Sequence, residues 1–261
     1  MIYLIFVLVS FFASAIGSIC GIGGGVLIKP VMDAFHIFPV ATVSFLSGCI
    51  VLAMSIYSVA NSLRSDRYSI DTAKSGWLGL GAAAGGAAGK KIFDIISRCS
   101  TDPELVGAVQ AAVLFVLTFA TIVYTVNRTK IKSKKIKNPV NCCLIGMGLG
   151  ATSAFLGIGG GPINLVALYY FFSMETKAAA QNSLYIIMIS QLVSLAVTVF
   201  SVKVPDVPLL LLAGMLCCGI FGGMAGRKIN KRINSKSVNR LFVCLLCIIM
   251  LVCCYNFSQF I

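Results

Sequence analysis

Two stretches carry the residue types and spacing that point to chemistry: Gly21-Ile22-Gly23-Gly24-Gly25 and Gly157-Ile158-Gly159-Gly160-Gly161. Each places four glycines in five residues within an apolar run. Glycine inside a helix costs about 1 kcal/mol relative to alanine, so either run breaks a helix. Irregular backbone at membrane depth is tolerated only where protein buries it or a cavity wets it. Glycine also adopts positive φ freely and lets a ligand approach main-chain N–H groups. A short apolar stretch follows each run, residues 26–38 and 162–174, and Pro162 has the position favoured by first-turn prolines. A helix that starts at the glycines turns its unpaired N–H groups and the positive end of its dipole toward them. The implied chemistry is anion binding. Gly21, Gly23, Gly24, Gly25, Gly157, Gly159, Gly160 and Gly161 are therefore candidate substrate-binding residues. Close helix packing is the competing explanation for any glycine cluster.

Polar residues near these runs extend the candidate set. Lys29 lies four residues past the first run, where an ionisable group in a membrane is costly and functional by default. Asp33, at i+4, is its natural ion-pair partner, and His36, the sole histidine, falls at i+7. Lys29 is a candidate anion contact, and Asp33 and His36 are candidate coupling residues. Snorkelling of these charges to a nearby surface is the alternative. In the second half Asn164 follows the glycines, and Gln181-Asn182-Ser183 opens the next apolar span. Ser44, with Thr42, is the approximate counterpart of this group in the first half. The amides and hydroxyls of Ser44, Asn164, Asn182 and Ser183 can donate to an anion without burying a charge; interhelical hydrogen bonding would use the same groups.

The elements that must position these residues are transmembrane helices. Apolar residues make up 58% of the 261, charged residues only 11%, against about 25% charged in soluble domains. Mean hydropathy is +0.96. Bilayer-length apolar runs recur at residues 2–19, 40–61, 72–89, 105–126, 140–155, 178–200, 207–225 and 238–255. Ala13-Ser14-Ala15 imitates a signal-peptide cleavage site, but no basic region precedes it, and the first segment reads as a retained helix. The chain also repeats itself. GIGGG at Gly21 recurs at Gly157, 136 residues on; GGAAGKKI from Gly85 recurs as GGMAGRKI from Gly222, 137 on; Ser44-Phe45-Leu46 resembles Ser183-Leu184-Tyr185, 139 on. The expected architecture is an all-α polytopic bundle of two repeats, 1–127 and 139–261, joined by a basic cytoplasmic linker, 128–138. Each repeat holds a glycine-broken, re-entrant hairpin followed by three transmembrane helices. Gly81, Gly85 and Gly89, and Gly222 with Gly226, read as helix-contact faces.

Net charge is +13, and 12 of the 21 basic residues lie in two segments, 128–137 and 227–240. That placement is positive-inside signalling and attraction to anionic lipid, not nucleic-acid recognition, for which no aromatic–basic interleaving exists. Loop 63–71, with Arg64 and Arg67, also belongs inside. Loop 90–104 belongs outside, its Lys90, Lys91 and Arg98 balanced by Asp94, Asp102 and Glu104. Both basic segments face inward only if each half crosses an odd number of times, so the repeats are expected to be inverted, with both termini extracytoplasmic. The eleven cysteines lie mostly in apolar helices and behave as small hydrophobes. Cys244-x-x-Cys247 lacks the second pair or histidine a metal site needs; no metal and no cofactor is expected. Only Cys20, beside the first run, stands apart.

Two halves, each with an apolar segment ending in G-x-G-G-G before a short helix, resemble the TauE/SafE sulfite-exporter family, over essentially the whole chain. The resemblance implies a multi-pass plasma-membrane permease for small anions of the sulfite and organosulfonate type, with diverse substrates among members. A proline often follows the first glycine run in that family; here Pro30 comes five residues after Gly25. Lys29 is not a position the resemblance assigns. The leading expectation is a secondary transporter holding a small anion, with a proton or sodium ion as candidate coupling ion. An anion channel and a non-transporting scaffold are the alternatives. One histidine and no paired acids at depth leave an enzyme little to work with.

Overall fold

The computed structural model describes residues 2–64, 72–99, 103–201 and 204–260 and is all-helical among them. The first half supplies α1 (Ile2–Cys20), α2 (Gly25–Asp33), α3 (Val40–Leu63), α4 (Thr72–Cys99) and α5 (Pro103–Asn127). The second supplies α6 (Pro139–Leu156), α7 (Gly161–Phe172), α8 (Thr176–Phe200), α9 (Leu209–Arg232) and α10 (Ser235–Phe260). All but α2, α4 and α7 are long and apolar enough to cross a membrane. At 9 and 12 residues, α2 and α7 are about 14 and 18 Å long, well short of a roughly 30 Å hydrocarbon core.

Three boundaries differ from expectation. Residues 90–99 are not loop: α4 continues to Cys99, where Lys90 pairs with Asp94 one turn on at 3.3 Å. Residues 227–240 are likewise mostly helix, split between the end of α9 and the start of α10. The short stretch after the first glycines is helical only as far as Asp33. Arg67 and Asp102, and the Glu104 side chain, lie outside what is described. Helix α4 also misses the apolarity of a spanning helix, because glycine and alanine fill it; its role is contact. Gly81, Gly85 and Gly89 press on the α6 backbone at Cys143, Met147 and Ala151, and Gly146 and Gly150 of α6 press back on Leu78 and Ala82. Gly222 and Gly226 of α9 meet Phe11 and Ala15 of α1 in the same way.

Packing partners interchange between the halves. Helix α1 lies on α9 as α6 lies on α4; α3 meets α9 as α8 meets α4; α2 meets α10 as α7 meets α5. The α3–α8 and α5–α10 pairs join the halves directly. Helices α2 and α7 start 136 residues apart, as do α3 and α8. This register replaces the 139-residue offset: Ser183 stands where Ser47 does, and Ala180 where Ser44 does.

Each hairpin closes on its own mouth. Tyr3 and Phe6 of α1 touch the rings of Phe38 and Phe35, just past α2. In the linker before α6, Lys134 N and Ile136 N donate to Tyr170 O and Phe171 O at the end of α7, both at 2.8 Å. Arg128 fixes the same corner, donating to Met174 O at 3.1 Å with its guanidinium 3.7 Å from the Tyr169 ring centre. That corner follows the C-terminus of α5. The α1–α2 mouth lies at the other end: His36 and Gly107, near the start of α5, both meet Phe260.

Candidate functional site

The glycine runs are the tips of the two hairpins, and the tips meet. In the first, Gly21 and Gly23 take φ of 79° and 74°, and the chain turns from α1 into α2. In the second, Gly157, Gly159, Gly160 and Gly161 are all at positive φ, up to 125° at Gly160. A side chain there is strained in itself. Space forbids one as well. A Cβ on Gly25 would collide with the Ile158 carbonyl of the other tip, and one on Gly23 would lie 3.7 Å from Gly159 O. Helices α3 and α8 enclose the junction from equivalent positions: Ala180 beside Gly21 and Ser44 beside Gly157, with Val51 and Ile187 against both tips. Gly24 and Gly160 are the N-caps of α2 and α7, and no side chain caps either helix. Two helix N-termini therefore open onto one buried junction.

Polar side chains line it without partners of their own. Ser14 Oγ, Ser44 Oγ, Ser47 Oγ, Ser183 Oγ and both amide atoms of Asn164 are buried and make no hydrogen bond among the described residues. Four of these side chains touch the glycines: a Cβ on Gly24 would be 2.9 Å from Ser14 Oγ, one on Gly25 2.8 Å from Ser47 Oγ, one on Gly157 2.6 Å from Ser44 Oγ, and one on Gly160 2.6 Å from Asn164 Nδ2. Asn164 and Ser183 are fully buried. Buried polar groups are nearly always satisfied, so this concentration calls for a polar ligand. The arrangement offers hydroxyl and amide donors beside helix N-termini, with no carboxylate among these groups. It suits a small anion.

The sulfite exporter TauE/SafE model matches residues 6–252, nearly the whole chain. The chain belongs to the sulfite exporter TauE/SafE family. It is thus a multi-pass membrane protein of a transporter family, whose members are transporters of small anions and not enzymes. No curated protein and no solved structure matches it.

Other candidates fall elsewhere in this TauE/SafE chain. Asn182 is occupied: its Oδ1 accepts from Ser75 Oγ and its Nδ2 donates to Ala178 O at 2.8 Å, tying α8 to α4. Lys29 and Asp33 form the ion pair their spacing implies, 2.7 Å and almost fully buried, which also rules out snorkelling. Their pair faces α5 and α10 beside Gln110, Cys253 and Asn256, with Leu156 and Ile158 of the second tip closing the cavity. His36 does not share that stripe. Helix α2 ends at Asp33, and His36 is exposed at φ 50° against Phe260. Cys20 is buried in the apolar core. Sequence reasoning missed Ser14, Ser47, Gln110 and Asn256. Ser47 was recoverable, since it lies 136 residues before Ser183, the spacing of the glycine runs. Ser14 sat inside the apparent cleavage site, and nothing in the sequence links Gln110 or Asn256 to Lys29.

Proposed function

We propose that the chain is a secondary transporter of the plasma membrane that moves a small anion, sulfite or an organosulfonate, by alternating access. Residues 1–127 and 139–261 act as inverted repeats about the cytoplasmic linker 128–138, with both termini extracytoplasmic. The reading is supported by the hairpin mouths, which lie at opposite ends of α5. The anion is held near the midplane between the tips, where secondary transporters of this general build bind substrate. The observation that carries this function is the meeting of two uncapped helix N-termini among unpartnered buried hydroxyls and an amide. Val51 and Ile187, in equivalent places on α3 and α8, close over the tips from either half. Rocking of one half against the other would open the junction to each side in turn.

The test is sulfite flux into proteoliposomes of the purified protein. Saturable uptake with counterflow is expected. Flux that rises linearly with concentration, at rates far above transporter turnover, would make it a channel, and absence of flux for sulfite and sulfonates alike would defeat the reading.

A further inference from the structure

The Lys29–Asp33 cavity is separate from the glycine junction yet mechanically joined to it. Helix α2 carries both: Gly25 begins it at the junction, and Lys29 follows one turn later, about 6 Å along the axis. Ile158 belongs to the second tip and also lines the cavity. Around the ion pair stand two amides with one half of each group committed. Gln110 Nε2 donates to Phe155 O at 2.5 Å, at the end of α6, and Asn256 Nδ2 donates to Pro30 O at 2.8 Å, inside α2. Their oxygens, Gln110 Oε1 and Asn256 Oδ1, are buried and accept nothing among the described residues. An ammonium has three donors. Lys29 spends one on Asp33, and two further acceptors sit idle in the same cavity.

That surplus gives meaning to a second charge state. Protonating Asp33 alone would strand a buried ammonium, a large penalty. Here the released Lys29 can swing to Gln110 Oε1 and Asn256 Oδ1, so the protonated cavity is hydrogen-bonded as well. We propose that Asp33 is the proton-coupling carboxylate: it takes one proton on its carboxylate oxygen as Lys29 passes to the two amide oxygens. The neutral pair becomes a net positive charge one turn behind the N-terminus that faces the anion. The proton and the anion each favour the other's binding, which makes transport anion–proton symport. Cys253 on α10 and His36 past the end of α2 are the other titratable groups facing Asp33; the cavity residues of α5 and α6 contribute none.

This inference rests on the transporter reading, and the experiment separates the two. Sulfite binding is measured by calorimetry in buffers of different ionisation enthalpy, for the wild type and for Lys29→Met/Asp33→Leu, which removes both charges together. Sulfite's own titration is common to both proteins, so the difference counts the protein's proton. The wild type should take up about one more proton per sulfite bound, and its affinity should rise an extra tenfold per unit fall in pH across the titration. Gln110→Leu keeps the resting ion pair, and should lose a large part of that uptake; it serves where the double variant is not monodisperse. Equal proton uptake in wild type and variants overturns the inference alone. Failure of the wild type to bind or move sulfite and sulfonates defeats the transporter reading, and this inference with it.

Discussion

Gly25→Ala is the sharpest test of the hairpin-tip contact. Gly25 is not among the positive-φ glycines, so alanine brings no backbone strain. It brings a collision. The new Cβ would overlap Ile158 O and sit 2.8 Å from both Ile158 C and Ser47 Oγ. Ordinary carbon contacts lie at about 3.5–4.0 Å, so the tips must part by roughly half an ångström or more. The obstacle is main chain of the opposite tip and cannot rotate aside. Overpacking of this kind costs about 1–3 kcal/mol. If that cost falls on the closed arrangement that holds the anion, affinity weakens about 5- to 150-fold, at about 1.4 kcal/mol per factor of ten. The assay is the concentration dependence of sulfite flux in proteoliposomes, beside thermal unfolding in detergent. Gly148→Ala is the control: on α6, a Cβ there meets nothing within 4 Å, and helix propensity predicts a gain of up to about 1 kcal/mol. Wild-type half-saturation in Gly25→Ala would refute the claim that the tips form the site.

Further outcomes follow from the same geometry. Asn164→Leu removes a side chain with no hydrogen bond to lose, so stability should hold or rise while sulfite affinity falls by about 1.5–3 kcal/mol, the worth of a hydrogen bond to a charged group; a parallel loss of thermal stability would make Asn164 structural. Lys29→Met alone leaves a buried carboxylate unpaired and should destabilise by about 3–5 kcal/mol, whereas Lys29→Met/Asp33→Leu should be near neutral; chemical unfolding in detergent distinguishes them. Gly85→Leu should separate α4 from α6 at Met147 and abolish folded protein, read as loss of the monodisperse gel-filtration peak. Arg128→Ala frees the corner between α7 and α8, with about 1–2 kcal/mol lost and faster amide exchange at Met174 as the readout.

Much of this protein was legible in its chain. Apolar run length sets which segments span, because a bilayer has one thickness; the glycine runs mark where helices must break, because four glycines in five residues cannot hold one. The i,i+4 spacing alone paired Lys29 with Asp33. The repeat was visible too, but its register was not: short polar strings such as Ser44-Phe45-Leu46 recur by chance, whereas packing forces Ser47 and Ser183 into equivalent places. Length and charge misjudged residues 90–99 and 227–232, where long basic side chains continue a helix that hydropathy ends early. Only the tertiary structure decided which polar groups go unpartnered. Asn164 and Asn182 look alike in sequence, yet Asn182 is consumed by Ser75 and Ala178 while Asn164 has no partner. Gln110 and Asn256 reach Lys29 from α5 and α10. Hydrogen-bond satisfaction is a property of neighbours in space, and the sequence alone records neighbours only along the chain.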